Sequence, residues 1–415
     1  MNTADSHAIE RQLAGRGYTP AGPGECPDLW VVNTCAVTAE GMRKSRKMVR
    51  RCARHGSPVI VTGCAAEMEP STFQSFNCVK AVVPNSEKHR IVDSISGHDG
   101  DGSGSVAWTP GEKVRVPVKV QDGCERFCSY CIVPYLRGTP VSREIRTVLE
   151  EVRFLRSNGV AEFNVCGIDL GSYRDRESGA GLEELTSLII DAADGGWVRL
   201  SSIEMSDVSD GLLEMMRERE TLCRHLHIPL QSGDDGVLAD MGRFYSTRDF
   251  GSRVAEIREA VPDVGVTSDV MVGFPTESED AFNNTKVLLE TVGFSRIHVF
   301  RYSPREKTSA FSYGDRVDKL TKARRALELR ELAGSSASRF NAGFVGRIIP
   351  VLVEETMRTE PGWLFGRAGN YLGVVFKGES SLVGRVVRVR ATEAGPEGLR
   401  GEITNAQLVT TPGGR

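Results

Sequence analysis

The 415-residue chain has no long hydrophobic run. Its apolar stretches are short and interrupted by charged residues, which excludes a transmembrane helix. No positively charged segment followed by an apolar one opens the sequence, so we expect no secretory signal peptide. A strong charge of one sign is missing too: 52 Lys and Arg against 55 Asp and Glu leave a net charge of -3. This value predicts no global attraction to nucleic acid, so any such contact must come from a local patch.

A disulfide framework is also excluded, because ten cysteines are too few for a chain of this length. Three of them stand close together in "QDGCERFCSYCIVPYLRG", where Cys124, Cys128 and Cys131 have a C-x3-C-x2-C spacing. Such a cluster indicates metal binding in a reducing compartment. We therefore expect a cytoplasmic protein with no membrane contact.

The length predicts two or three domains, and the fold class is α/β. Residues 1–95 alternate helical and strand patterns, as in an α/β domain with a parallel sheet. Residues 96–112 include "SGHDGDGSGS", which is typical of a linker. Residues 113–338 contain repeated strand-helix pairs and favour a full or partial β/α barrel. Residues 339–410 are rich in short β segments, so we expect a small antiparallel β-barrel.

A metal site that takes four ligands has one coordination position open when only three closely spaced thiolates bind it. Structural zinc takes four ligands and usually pairs C-x2-C with a second such pair, which does not follow here. A [4Fe-4S] cluster held by three cysteines has one iron free to bind a small molecule. Three unrelated core cysteines on one loop are the alternative. The scarcity of cysteine elsewhere favours the cluster.

The C-x3-C-x2-C loop at the end of the first barrel strand resembles that of the radical S-adenosylmethionine (SAM) enzymes, and "IVPYLRG" narrows the resemblance to the methylthiotransferases. Further blocks in the family's order are "VVNTCAVT", "VTGCAAE", "HLHIPLQSGDDGVLADM" and "DVMVGFPTE". The resemblance implies that the three cysteines hold a [4Fe-4S] cluster whose open iron binds SAM. Reductive cleavage of SAM then gives methionine and a 5′-deoxyadenosyl radical. Tyr130 lies beside the ligands, as in relatives.

Among the branches, "GIDLGSY", "LSSIE" and "IHVFRYS" are most similar to enzymes that modify N6-threonylcarbamoyladenosine in tRNA. The resemblance implies addition of a methylthio group to C2 of that base, next to the anticodon. It also implies the tRNA anticodon loop and an electron donor such as a flavodoxin or ferredoxin as partners of a monomer. Alternatives are methylthiolation of isopentenyladenosine, methylthiolation of a ribosomal protein, or a non-catalytic iron-sulfur RNA-binding protein.

Cys35 and Cys64 each lie at the carboxyl end of a predicted strand, where ligands gather in open parallel sheets. Each alone could be a buried apolar cysteine. By the resemblance, these two and an earlier cysteine hold a second [4Fe-4S] cluster, which carries the sulfur that is inserted.

That earlier cysteine has no counterpart in this sequence. In relatives it stands three residues before an asparagine that opens the first helix, and Asn2 occupies that asparagine's place. We expect a true start further upstream that supplies the missing strand. The competing interpretation is that Cys26, Cys52 or Cys78 substitutes. These three, with Cys166 and Cys223, are interpreted as ordinary cysteines.

Candidate SAM contacts lie at predicted strand ends, because the loops at that face of a β/α barrel build the active site. They are Gly167, Ser202, Glu204, Gln231, Asp269 and Gly273. Each could instead be a turn or capping residue. The sequence has Asp169 where the family usually has His, and Thr276 where it usually has Gly, and both departures concern the substrate more than the chemistry.

Two segments are candidates for RNA binding. "MRKSRKMVRRCAR", Met42 to Arg54, contains seven Lys or Arg and no acidic residue. It is either a solvated helix face or a surface for tRNA phosphates. The terminal β-rich segment, with "RAGNYLGVVFKG", resembles the TRAM-like RNA-binding barrel appended to these enzymes, and a plain structural cap is the alternative.

Overall fold

The computed structural model describes residues 1–22, 24–95 and 113–404. The predicted linker, 96–112, lies outside the described residues. No helix within the described ranges is both long and apolar enough to cross a membrane.

The amino-terminal domain is built on a three-stranded parallel sheet in the order β1-β2-β3, as predicted. A 3-10 helical segment, Asn85–Ser94, ends the domain. Its strands are β1 (Trp30–Thr34), β2 (Val59–Gly63) and β3 (Val79–Val83). Its helices are α1 (Asn2–Ala14), α2 (Ala39–Ala53), α3 (Cys64–Met68) and α4 (Pro70–Gln74).

Helix α2 contains the basic run. Its first turn is capped by Thr38, whose hydroxyl accepts the Gly41 N–H at 3.0 Å. Its buried face consists of Met42, Ser45, Val49 and Cys52. The Lys and Arg side chains occupy the remaining face and are mostly exposed. The helix ends at Ala53, and Gly56 follows it with φ +77°.

The central domain is a partial β/α barrel, one of the two predicted forms. Its parallel strands form two sheets, β4-β7-β8 and β9-β10-β11, which are bridged where Ser202 pairs with His227. Within the described residues β4 and β11 do not pair with each other, so the barrel is open. The six strands are β4 (Arg115–Lys119), β7 (Glu162–Cys166), β8 (Trp197–Leu200), β9 (His225–His227), β10 (Gly265–Val272) and β11 (Arg296–Arg301).

A short antiparallel pair, β5 (Gln121–Asp122) and β6 (Val141–Ser142), flanks the cysteine loop. Helices cover the barrel, and their apolar faces form its core with the strands. The helices are α5 (Val133–Arg137), α6 (Ile145–Ser157), α7 (Leu182–Ala192), α8 (Asp210–Glu218), α9 (Asp235–Asp240), α10 (Thr247–Ala260), α11 (Glu279–Val292) and α12 (Lys319–Ala342).

The carboxyl-terminal domain is a closed five-stranded barrel in the order β12-β13-β14-β16-β15, which confirms the predicted small β-barrel. Its pairing is antiparallel as predicted except between β14 and β16, which pair in parallel. Helix α12 leads into it and crosses the predicted boundary at residue 338. The strands are β12 (Ile348–Thr356), β13 (Trp363–Ala368), β14 (Gly373–Lys377), β15 (Val386–Gly395) and β16 (Gly398–Ile403).

The two barrels are joined by the turn between β13 and β14. Buried Arg199 of β8 donates to the Gly369 carbonyl at 2.9 Å, and the ring of Tyr371 stacks on His225 with centroids 4.6 Å apart. These partners lie at the amino-terminal side of the β/α barrel, whereas the cysteine loop follows the carboxyl ends of its strands. The small barrel is therefore docked opposite the cysteine loop.

Candidate active site

The cysteine loop runs from β5 to α5 and is closed by backbone contacts. Gly123 has φ +78°, and a Cβ there would lie 2.0 Å from the Thr139 carbonyl oxygen, so only glycine fits. The Cys124 N–H donates to the Gly138 carbonyl at 3.0 Å, and the Cys131 N–H donates to the Cys128 carbonyl at 2.9 Å. The loop is therefore a fixed turn that presents its three cysteines from one short segment.

The three cysteines are partly buried, and hydrogen-bond donors lie beside two of them. Burial raises the pKa of Cys131 to about 12 and also raises the pKa of Cys124. The Arg126 backbone N–H points at the Cys124 sulfur at 3.4 Å, and Arg243 Nη1 lies 3.4 Å from the Cys128 sulfur. Because burial disfavours a thiolate, a bound metal would favour the deprotonated form of Cys124 and Cys131.

The loop has cysteines available for an iron-sulfur cluster. All three are free thiols, and Cys124 and Cys128 lie close enough to Cys131 to contribute to its raised pKa. In the described part of the chain, no three His, Cys, Asp or Glu side chains converge on a single metal ion. Each thiolate of a [4Fe-4S] cluster binds a different iron, so such a cluster does not require the three thiols to converge on one ion. The three cysteines are of the ligand type and number that a [4Fe-4S] cluster with one open iron takes.

Two arginines connect the loop to the β/α barrel through ion pairs. Arg126 Nε donates to Asp169 at 3.0 Å, and its Nη2 lies 2.5 Å from Asp207. Burial acts to lower the pKa of Arg126, but the bond to Asp169 and the charges of both carboxylates raise it on balance. Arg243 pairs with Glu204, with Nη1 3.2 Å from Oε1. The loop is thus held by ion pairs to residues that follow β7 and β8.

Sequence reasoning missed both arginines. Arg126 lies between Cys124 and Cys128, and this position inside the motif indicates a residue close to the cysteines. Arg243 is 115 residues from Cys128 in the chain, and nothing in its local sequence indicates the contact.

Three predicted SAM contacts meet at the strand ends. Ser202 pairs with His227, and His227 Nε2 lies 3.3 Å from an Asp269 carboxylate oxygen. The Gln231 N–H donates to the Asp269 carbonyl at 2.8 Å. Gln231 has φ +69°, and its buried Oε1 has no hydrogen-bond partner among the described residues. The backbone thus positions the Gln231 Oε1, an acceptor without a partner among the described residues, at the same strand ends as Ser202 and Asp269.

The predicted glycines are explained by close packing. A Cβ at Gly167 would lie 2.8 Å from Gln121 Oε1, which accepts the N–H groups of Ile168 and Asp169. Gly273 has φ +72°, and a Cβ there would lie 2.4 Å from the Lys322 side chain on α12. Both glycines lie at strand ends, as predicted.

A second cysteine site, a pair of thiols, lies at the carboxyl edge of the amino-terminal sheet. Thr34 and Gly63 are register partners on β1 and β2, so Cys35 and Cys64 follow them side by side. Gly63 is required because a Cβ would lie 2.3 Å from the Thr34 carbonyl. The described residues therefore supply two adjacent thiols, consistent with two of the ligands that a second cluster would need.

Asn2 opens α1 at the same edge, and its side-chain amide lies 3.4 Å from the Thr34 carbonyl. The three cysteines considered as substitutes lie elsewhere. The Cys78 carbonyl accepts the N–H of Val59 at the amino end of β2, and Cys26 contacts Ser57 before that strand. Cys52 is buried near the end of α2 and interacts with Cys78. All three are at the opposite edge of the sheet.

Arg137 connects the two cysteine sites. It ends α5, directly after the cysteine loop, and its Nε lies 3.4 Å from the Cys64 sulfur. Its Nη atoms bind Asp122 and Asp5, each at 3.0 Å. Burial acts to lower the pKa of Arg137, but Cys64 and the two carboxylates raise it far above its ordinary value. The edge of the amino-terminal sheet thus lies against the cysteine loop.

Comparison with known proteins adds three family models. The Radical SAM superfamily model matches residues 118–289, the TRAM domain model matches residues 343–404, and residues 1–84 match the model described as uncharacterized protein family UPF0004. These matches correspond to the three folded regions described above.

Similar curated proteins extend over nearly the whole chain. Threonylcarbamoyladenosine tRNA methylthiotransferase MtaB of Bacillus subtilis is 31% identical, over 95% of this chain and 92% of its own length. The Chlamydia pneumoniae protein of the same name is 33% identical, over 97% and 96%. The tRNA-2-methylthio-N(6)-dimethylallyladenosine synthase of Alkalilimnicola ehrlichii is 35% identical, over 97% and 95%.

Among solved structures, the fold is similar to the radical S-adenosylmethionine methyltransferase TsrM from Kitasatospora setae. The TM-score is 0.53 at 15% sequence identity, over 69% of this chain and 65% of that one. This similarity concerns the fold alone.

Proposed function

The chain belongs to the radical SAM tRNA methylthiotransferase family, and from that premise we propose that it adds a methylthio group to C2 of N6-threonylcarbamoyladenosine beside the tRNA anticodon. The observation that carries the proposal is the junction of two cysteine sites at one face. A three-cysteine loop and a strand-end cysteine pair are joined there by Arg137.

In this proposal Cys124, Cys128 and Cys131 ligate the cluster of the radical reaction. Bound there, a [4Fe-4S] cluster with one open iron supplies the site and the electron for SAM cleavage. The protein's part is to hold the loop in place through Arg126 and Arg243. Buried, fixed donors act more strongly than they would in water.

We assign SAM binding to the strand-end residues. Gln231 offers a buried free acceptor, and Asp269 and Ser202 meet at the same edge through His227. Glu204 orients Arg243 toward Cys128. Gly167 and Gly273 leave room for neighbouring groups at their strand ends, where a side chain would collide.

Cys35 and Cys64 are proposed to hold the second cluster, which carries the sulfur that replaces hydrogen on the base. Arg137 and Asn85 place N–H donors 3.4 and 3.9 Å from the Cys64 sulfur. Such donors stabilise a thiolate ligand. In this scheme one SAM donates the methyl group and a second gives the radical.

The proposed RNA surface is the exposed basic face of α2, next to the strand-end cysteines. Its Lys and Arg side chains can neutralise backbone phosphates, while the carboxyl-terminal barrel holds the RNA more distantly. We further propose a cytoplasmic monomer that receives electrons from a flavodoxin or ferredoxin.

Isopentenyladenosine in tRNA is a second candidate substrate. The relative from Alkalilimnicola ehrlichii, whose name specifies the dimethylallyl nucleoside, is 35% identical, against 31% and 33% for the two proteins named for threonylcarbamoyladenosine. The branch blocks "GIDLGSY" and "IHVFRYS" favour threonylcarbamoyladenosine.

Mass spectrometry of tRNA nucleosides from a deletion strain tests the choice. We expect the 2-methylthio form of threonylcarbamoyladenosine to disappear and the unthiolated nucleoside to take its place. The isopentenyladenosine derivative should be unchanged. If that derivative disappears instead, the second candidate is correct and the first is wrong.

A further inference from the structure

Arg305 is a buried arginine with unused hydrogen-bonding capacity. It follows β11, and only 7% of its surface is exposed. Its Nη1 lies 3.4 Å from the Met42 sulfur, a weak acceptor. Its Nε and Nη2 have no hydrogen-bond partner among the described residues. A guanidinium buried in this way is costly, because each unpaired donor has lost its water.

The position of Arg305 connects both cysteine sites. Met42 belongs to α2, the helix that follows Cys35 in the chain, and Cys35 lies near enough to Arg305 to influence its pKa. The same segment reaches the cysteine loop, where the Ala310 N–H donates to the Ser129 carbonyl at 2.7 Å. Arg305 therefore lies between the strand-end cysteines and the radical site, beneath the basic face of α2.

The backbone of this segment is fixed. The Arg305 carbonyl accepts two hydrogen bonds from Thr308, one from the hydroxyl at 2.7 Å and one from the backbone N–H at 3.2 Å. Burial lowers the pKa of Arg305, and the charges of Glu69 and Cys35 offset this effect only in part. Among the described residues, no carboxylate therefore forms an ion pair with the Arg305 guanidinium.

The unpaired atoms define the ligand. Nε–H and Nη2–H point along one edge of the guanidinium, the edge that takes a carboxylate or a phosphate in bidentate fashion. We propose that Arg305 binds an oxyanion of the substrate nucleotide as it enters between the two cysteine sites. This inference rests on the proposed function. A nucleotide of that kind has two oxyanions, its backbone phosphate and the carboxylate of its threonyl group.

The test measures equilibrium binding of two anticodon stem-loop RNAs to the full chain. One RNA carries threonylcarbamoyladenosine and the other carries unmodified adenosine at the same position. The variants are Arg305→Met and Arg305→Lys. Arg258→Met is the control, because Arg258 is a half-buried arginine that donates to the Val292 and Gly293 carbonyls far from this junction.

If the phosphate is the ligand, Arg305→Met weakens the binding of both RNAs about 10- to 100-fold and lowers the slope of the salt dependence of binding by about one. If the carboxylate is the ligand, the variant weakens the binding of only the RNA with threonylcarbamoyladenosine. Arg305→Lys should be intermediate because it keeps the charge and loses the bidentate edge. Arg258→Met should bind both RNAs as the wild type does.

Thermal unfolding of the RNA-free protein separates binding from a structural role. Removing a buried unpaired guanidinium should leave the Tm of Arg305→Met equal to or above that of the wild type. A clear fall in Tm, or unchanged binding of both RNAs, would overturn the inference while leaving the proposed function intact. If the wild-type protein binds neither RNA, the tRNA substrate and this inference both fail.

Discussion

The cysteine loop and the strand-end pair bring their thiols together in different ways. Cys124, Cys128 and Cys131 lie within one eight-residue segment that backbone hydrogen bonds close on itself. Cys35 and Cys64 are separated along the chain and meet only because β1 and β2 pair in register. The first site is thus specified locally, whereas the second depends on the fold of the amino-terminal domain and on its contact with the barrel.

The largest expected effect is at the local site. Cys128→Ala should reduce SAM cleavage in the anaerobically reconstituted protein to background, because the cluster loses one of three ligands. The measurement is the yield of 5′-deoxyadenosine under reducing conditions. Cys26→Ala is the control, since Cys26 is exposed and remote from both sites. Retained cleavage with unchanged iron content would show that the cysteine loop is not the radical site.

At the strand-end site, the double variant Cys35→Ala, Cys64→Ala should separate the two activities. We expect SAM cleavage to persist while methylthio insertion falls to background and bound iron falls toward the content of one cluster. Iron analysis and nucleoside analysis on the same sample provide the measurement. Equal iron in the variant and the wild type would mean that the two cysteines hold no cluster.

How firmly the loop is held can be tested at Arg243. Its side chain is only 5% exposed and pairs with Glu204, which is 18% exposed. Arg243→Met should destabilise the protein by about 3–5 kcal/mol, because it leaves a largely buried carboxylate without its partner. Urea denaturation measures the change, and adding Glu204→Gln should restore part of it. Full additivity of the two substitutions would argue against the pairing.

The junction between the two sites depends on Asp5. Burial alone would raise the pKa of Asp5, but Lys119, Lys88 and Arg137 hold it well below its ordinary value. A lowered pKa means that the carboxylate stabilises the fold above about pH 3.9, its unfolded pKa, and that this stability is lost as the pH falls further.

Asp5→Asn should therefore cost about 1.5–3 kcal/mol near pH 7. The difference from the wild type should shrink as the pH falls below about 4, because the Asp5 carboxylate of the unfolded chain then binds a proton that the folded protein does not. Chemical denaturation at several pH values gives the measurement. Asp280→Asn, at an exposed position on α11, is the control. A difference that does not depend on pH would contradict the ionic role of Asp5.

The smallest expected effect is on the exposed basic face of α2. Charge reversal at Arg50 and Arg51, both exposed on α2, should weaken tRNA binding and lower the salt-dependence slope by about two. SAM cleavage should survive. The matched control reverses Arg146 and Arg153, two exposed arginines on α6. An equal loss of binding in both double variants would indicate a general charge effect and no dedicated RNA surface.

The same contrast explains what the sequence could predict. Residue spacing identifies the cysteine loop, and the repeated strand-helix pattern predicts the parallel sheet and the β/α barrel. Arg243 and Arg305 reach their positions only through tertiary packing, so no local pattern indicates them. Charged groups that complete a site from distant elements require the structure.

The most direct test of the account is an assay on RNA with the reconstituted protein. It combines SAM, a reductant, a sulfide source and an anticodon stem-loop that carries threonylcarbamoyladenosine, with an isopentenyladenosine stem-loop in parallel. The account predicts the 2-methylthio nucleoside in the first RNA only, with one 5′-deoxyadenosine and one S-adenosylhomocysteine formed for each. Formation of 5′-deoxyadenosine without any thiolated nucleoside in either RNA would contradict it.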